Sequence, residues 1–158
     1  MLFKYFFACH YRVSDFMKLY QLVYTSARRC SDADIHDILS SCKKNNPGKN
    51  ITGILLHSDQ RFIQIMEGEK DVLEKLFSTV KEDKRHAGVN LRFFGPVEKR
   101  HFPDWHMGFK DLNTKKLKLN TSVRQEDIDT YEAIINNEDI FSQNEGMRVL
   151  TLFSKVSM

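Results

Sequence analysis

Two periodicities take turns along this chain. In some stretches every second residue is apolar, as in a half-buried strand. In others apolar residues return every third or fourth position, as on one side of a helix. "KLYQLVYTS" (18–26) alternates and is rich in aromatic and β-branched residues. It reads as a strand with Tyr20, Leu22 and Tyr24 on one face and Leu19, Gln21 and Val23 on the other. "SDADIHDILSSCKKNN" (31–46) repeats Ile35, Ile38, Leu39 and Cys42 at helical spacing, behind a capping pattern of Ser31 and Asp34. "NNPGKN" (45–50) ends that helix in a turn. "ITGILLHS" (51–58) and "RFIQIMEG" (61–68) are strands joined by "DQ", a predicted hairpin. "EKDVLEKLFSTVKEDKRH" (69–86) predicts a second amphipathic helix. Val72, Leu73, Leu76, Phe77 and Val80 form its stripe, and Gly88 lies just beyond its end. "VNLRFFGPV" (89–97) predicts a fourth strand, with Pro96 suited to its end or to a sheet edge. "WHMGF" (105–109) predicts a short fifth strand with Trp105, Met107 and Phe109 on one face.

The order β-α-β-β-α-β-β predicts a ferredoxin-like α+β sheet with one extra strand and both helices on one face. The third strand then makes a demand. Phe62, Gln64 and Met66 point one way, and Ile63 and Ile65 the other, so both faces of the sheet need cover. After the lysine-rich stretch 112–122, two further amphipathic segments follow. Ile128, Tyr131, Ile134 and Ile135 mark one, and Met147, Leu150, Phe153 and Val156 the other. They predict a C-terminal helical pair that caps the free face or presents a surface to a partner. The expected organisation is an N-terminal extension (1–16), one domain (17–111) and a helical extension (112–158). Residues 1–16 carry a short apolar patch without a small-residue cleavage site. Met17 stands directly before the first strand, so either it is the true start or residues 1–16 are a disordered arm.

Composition narrows the picture. At 158 residues, 41% hydrophobic and 28% charged, this is an ordinary soluble chain with enough length for one proper core. A net charge of +3, with lysines and arginines scattered among acids, does not indicate a nucleic-acid partner. Three cysteines without a C-x-x-C pair suggest reduced thiols and a cytoplasmic location. No apolar run approaches the roughly 20 residues of a membrane span.

Enzyme signatures are missing. No G-x-G-x-x-G, P-loop, H-E-x-x-H or G-x-S-x-G occurs. His101 and His106 read as exposed or capping residues, and Glu67 and Glu69 as solvated carboxylates at a strand end. No metal and no catalytic residue is expected. What remains is polar groups where apolar ones belong: Gln64 in mid-strand, Tyr24 on the apolar face of the first strand, and Asn45 and Asn46 where the first helix meets its turn. Singly, each has an ordinary structural reading as a core aromatic, a helix-end asparagine or an edge-strand amide. Together they outline a polar pocket between two helices and a sheet, able to hold a flat polar ligand.

Five motifs in order, "LVYTS" (22–26), "NNPGKNITGILL" (45–56), "RFIQIMEG" (61–68), "DKRH" (83–86) and "FPDWHMGF" (102–109), resemble the BLUF family of blue-light sensors using FAD. The likeness covers about residues 18–111. It implies a flavin ring inserted between the two helices, with FAD as the cofactor and FMN as the alternative occupant. It implies that Tyr24 donates an electron and a proton, and that Gln64 links this tyrosine to the flavin and rearranges its hydrogen bonds after excitation. Asn46 would bond the ring's polar edge, supported by Asn45. Lys84 and Arg85 would serve the ribityl-phosphate side, and His86 a structural purpose. Trp105 and Met107 would relay the change outward. Such a protein is a switch and not an enzyme. Without an effector segment it would act through a separate protein partner or through rearrangement of a homo-oligomer. Gly108 next to the relay strand suggests altered flexibility there. Two readings compete: an RNA-recognition-like or ligand-binding module without light response, for which Phe62 alone is a poor stacking platform, and an acylphosphatase-like hydrolase, which Arg28, Arg29 and Asn46 imitate only loosely.

Overall fold

The computed structural model describes residues 18–111, together with Glu126 and Asp129. The elements are β1 (Leu19–Arg28), α1 (Asp32–Asn45), a 3-10 turn (Pro47–Lys49), β2 (Thr52–His57), β3 (Arg61–Glu69), α2 (Lys70–Glu82), β4 (His86–Pro96) and β5 (Gly108–Asp111). Apart from Glu126 and Asp129, the predicted segments outside 18–111, including the tail helical pair, lie outside the described residues.

Local chemistry sets the boundaries. Ser31 and Asp34 close a reciprocal capping box at the start of α1, satisfying two N–H groups that the first turn leaves free. Asn46 caps the other end, and Asn50 takes the left-handed conformation (φ 51°) that returns the chain into β2. Between β2 and β3, Ser58 closes the hairpin: its N–H donates to the Arg61 carbonyl, and its hydroxyl accepts from the Gln60 and Arg61 N–H groups. Helix α2 stops at Glu82, before "DKRH". Asp83 leaves the helical region and turns its carboxylate onto the Arg85 N–H and guanidinium. Gly88 therefore sits inside β4 at φ 56° and does not terminate the helix.

The sheet order is β4-β1-β3-β2-β5, antiparallel throughout except for the parallel β2–β5 pair. This is the ferredoxin-like order, with β3 central and β5 added beyond β2. Leu22, Tyr24, Leu55, Phe62 and Met66 pack with Ile35, Ile38 and Leu39 of α1 and Leu73 of α2, so both helices cover one face. On the opposite face Val23, Ile54, Leu56, Ile63 and Ile65 are each no more than 1% exposed. The two-sided apolar character read from β3 is thus real burial on both sides. Close strand approach depends on Gly53, where a Cβ would stand 2.0 Å from the Ile65 carbonyl oxygen.

The fifth strand differs from its prediction. It begins at Gly108, so Trp105 and Met107 belong to the connection from β4 and do not share a strand face. The alternation in "WHMGF" is overridden by tertiary bonds. The Trp105 carbonyl accepts from the Gly53 N–H, and the His106 carbonyl from Asn46 Nδ2. Phe109 is 42% exposed at the sheet edge, stacked on His57.

Candidate functional site

Tyr24 and Gln64 are direct cross-strand partners on β1 and β3, on the helix-covered face. The Tyr24 hydroxyl donates to Gln64 Oε1. The other end of the amide, Nε2, donates to the Met107 sulfur at 3.5 Å. Gln64 is 5% exposed and Tyr24 fully buried, so these bonds run in a low-dielectric space. Burial pushes the Tyr24 phenol well above its ordinary range, with Cys42 and Asp83 adding to the effect. The phenol therefore keeps its proton and acts as a hydrogen-bond donor to Gln64.

Both residues face a cavity of about 440 Å³ between α1, α2 and the sheet, within the size range of small-molecule sites. Ile38, Met66, Val72, Leu76 and Val80 supply apolar walls. Tyr24, Asn45, Asn46 and Gln64 supply neutral hydrogen-bonding groups, and Lys49, Lys75 and Arg85 supply cations. Helix α1 delivers Asn45 and Asn46 because it ends against the cavity. Asn46 is buried and already gives one N–H to the His106 carbonyl at 2.6 Å, leaving a second N–H and its carbonyl oxygen for a ligand.

Arg85 is fixed by Asp83 through contacts of 2.5–3.0 Å. The Arg85 hydrogen bonds hold the Asp83 carboxyl below its usual range, and Asp83 in turn raises Arg85. His86 lies against the rings of Tyr24 and Phe62 and contacts Ser26 Oγ through Nδ1 at 2.9 Å. Burial lowers its pKa; Asp83 opposes this shift and Arg85 adds to it. Cys42 also lines the cavity, its thiol pushed up by burial.

The structure brings Tyr24, Asn45, Asn46, Gln64 and Arg85 together around one cavity. It does not bring Lys84 there. The turn after α2 leaves Lys84 exposed and points Arg85 inward, so only one of the paired basic residues lines the space. Trp105 is half-buried, stacked on Phe102 with 5.7 Å between centroids, while Met107 is buried against Gln64. The glycine that follows has a steric reason: a Cβ on Gly108 would stand 2.5 Å from the Trp105 ring. Phe62 is fully buried and cannot stack on a nucleic-acid base, which removes the physical basis of the RNA-recognition reading.

One reading of the sequence is overturned. Glu67 is 0% exposed, not solvated. On the face opposite the cavity its carboxylate collects donors from Gln21, Thr52 and the backbone N–H groups of His101 and Phe102, and the His101 ring lies against it. A signal existed in the sequence, since Glu67 continues the inward alternation of Ile63 and Ile65.

A mixed five-stranded sheet with two helices on one face and an amide-bearing cavity between them is a ferredoxin-like α+β fold with a candidate ligand site. The family model "BLUF: Sensors of blue-light using FAD" matches residues 19–108. The chain belongs to the BLUF family, whose domain binds a flavin and senses light without being catalytic itself. Among known relatives, it is 32% identical over 81 residues to the photoactivated adenylate cyclase subunit beta of Euglena gracilis, a match spanning 51% of this chain and 9% of that protein. Among solved structures it resembles the dark-state structure of the BLUF protein BlrB at 28% identity and TM-score 0.66, covering 87% of this chain and 96% of that one. A bacterial light-regulated adenylyl cyclase is similar at 28% identity and TM-score 0.63, over 89% of this chain and 40% of that one.

The cavity fits the family's cofactor by its donor set. A planar ring system with one polar edge needs apolar walls and amide groups at one end, and its phosphate-bearing tail needs cations. The lining residues offer all three.

Proposed function

We propose that this chain is a blue-light photoreceptor whose cavity between α1 and α2 holds FAD, with FMN able to take the same ring site. In this reading Asn45, Asn46 and Gln64 bond the polar edge of the ring, and Arg85 lies toward the phosphate-bearing side. Blue-light excitation of the bound flavin supplies a strong oxidant. Tyr24 would give an electron to the excited flavin and its phenolic proton to the Gln64 carbonyl oxygen, along the existing hydrogen bond. Both return to Tyr24 as the cycle closes. The lasting change is in Gln64, whose amide rotates, tautomerises or does both, and so exchanges hydrogen-bond partners.

The observation that carries this reading is the Tyr24–Gln64–Met107 chain: a buried phenol donating to a buried amide whose N–H meets a thioether. An amide with one good donor partner and only a weak acceptor for its N–H has a second arrangement within reach. The Met107 and Trp105 loop would carry the change to a separate protein partner or to a second copy of the chain.

Purified protein tests the reading directly. It should be yellow, or become so on refolding with FAD. Blue light should shift the flavin band reversibly to longer wavelength, since a new hydrogen bond to the ring lowers its transition energy. Colourless protein that stays colourless with FAD defeats the proposal, and so does a yellow protein with no reversible shift. Light-and-dark pull-downs would then identify the partner.

A further inference from the structure

The cavity does not use the most heavily bonded side chain among the described residues. Glu67 lies on the other face of β3, three residues from Gln64. Its cross-strand neighbours are Gln21 on β1 and Thr52 on β2, and both give it a hydrogen bond, at 2.9 and 3.3 Å. Its remaining donors all come from the β4–β5 connection. They are the His101 N–H at 2.8 Å and the Phe102 N–H at 3.1 Å, with the His101 ring Nδ1 3.0 Å from the same carboxylate. Arg100 reinforces the same point, bonding Thr52 Oγ1 at 2.7 Å, the Glu67 carbonyl at 2.9 Å and the Asn50 carbonyl at 2.8 Å. A buried carboxylate with this many donors is structurally committed, because removing its charge strands donors in a dry site.

The clasped connection is the one that returns to the cavity. Beyond Phe102 it bonds Gly53 through the Trp105 carbonyl and Asn46 through the His106 carbonyl, then places the Met107 sulfur against Gln64 Nε2. Strand β3 thus grips the loop with Glu67 from one face and meets its far end with Gln64 on the other.

We propose that Glu67 is a positioning residue for the light response. By anchoring residues 100–102 it fixes Met107 against the Gln64 amide, and so sets the barrier between the two arrangements of that amide. This rests on the photoreceptor reading. Glu67 touches neither cavity nor ligand, so its neutralisation acts on the rate of the switch and not on its colour. A loosened Met107 holds the amide less firmly in either arrangement, and the return in the dark quickens.

The test measures the light-induced red shift and the dark-recovery rate of the flavin-loaded protein. Glu67→Gln keeps the shape but turns an amide NH₂ toward donors. Arg100→Ala releases the loop without touching a buried charge, and it carries the test if the first variant does not fold. Both should keep a red shift of wild-type size. Both should recover faster by about fivefold or more, the factor a restraint of one hydrogen bond exerts on a rate. If Glu67 acts through Met107, neither change should accelerate recovery further in a Met107→Ala background. Wild-type recovery in the variants overturns the proposal, as does an undiminished acceleration in the Met107→Ala background, the mark of a merely structural effect. A wild-type protein with no red shift would instead defeat the photoreceptor reading, and this proposal with it.

Discussion

The Tyr24 hydroxyl and the Gln64 amide meet as direct cross-strand partners, and the same amide turns its N–H toward the Met107 sulfur. One side chain thereby bridges the middle of the sheet and the loop before its edge strand. In the photoreceptor reading, the response depends on the contrast between its two partners, a hydroxyl and a thioether.

Replacing Tyr24 with Phe removes the donor and leaves the ring. Flavin should remain bound, and the light-minus-dark absorption difference should vanish. The Gln64 carbonyl loses its partner in a site that is nearly dry, so a stability loss of about 1 kcal/mol is expected in thermal melts. A normal red shift in this variant would contradict the role given to Tyr24.

Replacing Gln64 with Leu also leaves a yellow protein, here without the amide. The Tyr24 hydroxyl is then stranded at 0% exposure, and the expected stability cost is about 1–3 kcal/mol. Illumination followed by difference spectroscopy should give a flat trace. Recovery of the ordinary shift would show that another group does the switching.

Replacing Gly108 with Ala forces a Cβ against the Trp105 ring, so the ring must leave its stack on Phe102. Trp105 is the chain's one tryptophan, and its fluorescence reports on this site alone. Emission should move to longer wavelength as the ring gains water contact. The expected loss of stability is about 1–3 kcal/mol, typical of overpacking. An unchanged emission maximum would show that the loop absorbs the added methyl without displacing the ring.

Acid should weaken the fold through two histidines before the carboxylates matter. Burial lowers both His86 and His57 below the ordinary histidine value of 6.5. For His57, Asp111 opposes that shift and Arg28 adds to it. The unfolded chain therefore binds more protons than the folded one just below that value. Their contribution is whole above pH 6.5 and is lost as the pH falls through their folded values. Asp83 and Asp34, lowered chiefly by hydrogen bonds from Arg85 and Ser31, lose their contribution only as the pH falls through values below 3.8. Melting temperatures should thus begin to fall near pH 6.5. Substituting both histidines with Asn should flatten that first segment; a slope that survives would assign it to other groups.

Much of this site was legible because it breaks a local pattern. Tyr24 and Gln64 interrupt apolar alternation, and Ser31 with Asp34 spells a helix start within four residues. The capping box and the facing of Tyr24 and Gln64 both appear in the structure. Features built from distant residues were not legible. Glu67 draws donors from positions 21, 52, 101 and 102, and nothing near it in the chain announces them. The edge strand was misplaced for the same reason. "WHM" alternates as a strand does, but bonds to Gly53 and Asn46 hold it as a loop. Lys84 and Arg85 are adjacent basic residues that only the turn at Asp83 distinguishes.

Strand β3 is paired on both sides from Phe62 to Glu67, to β1 and to β2. The main chain beneath Gln64 is consequently among the least free parts of the fold. Events there are confined to torsions of a single side chain, while displacement of the clasped loop is collective and runs on a slower clock. The molecule should therefore separate its steps in time. Vibrational bands of the amide would change first, the sheet's own bands would stay silent, and any change in overall shape would arrive later.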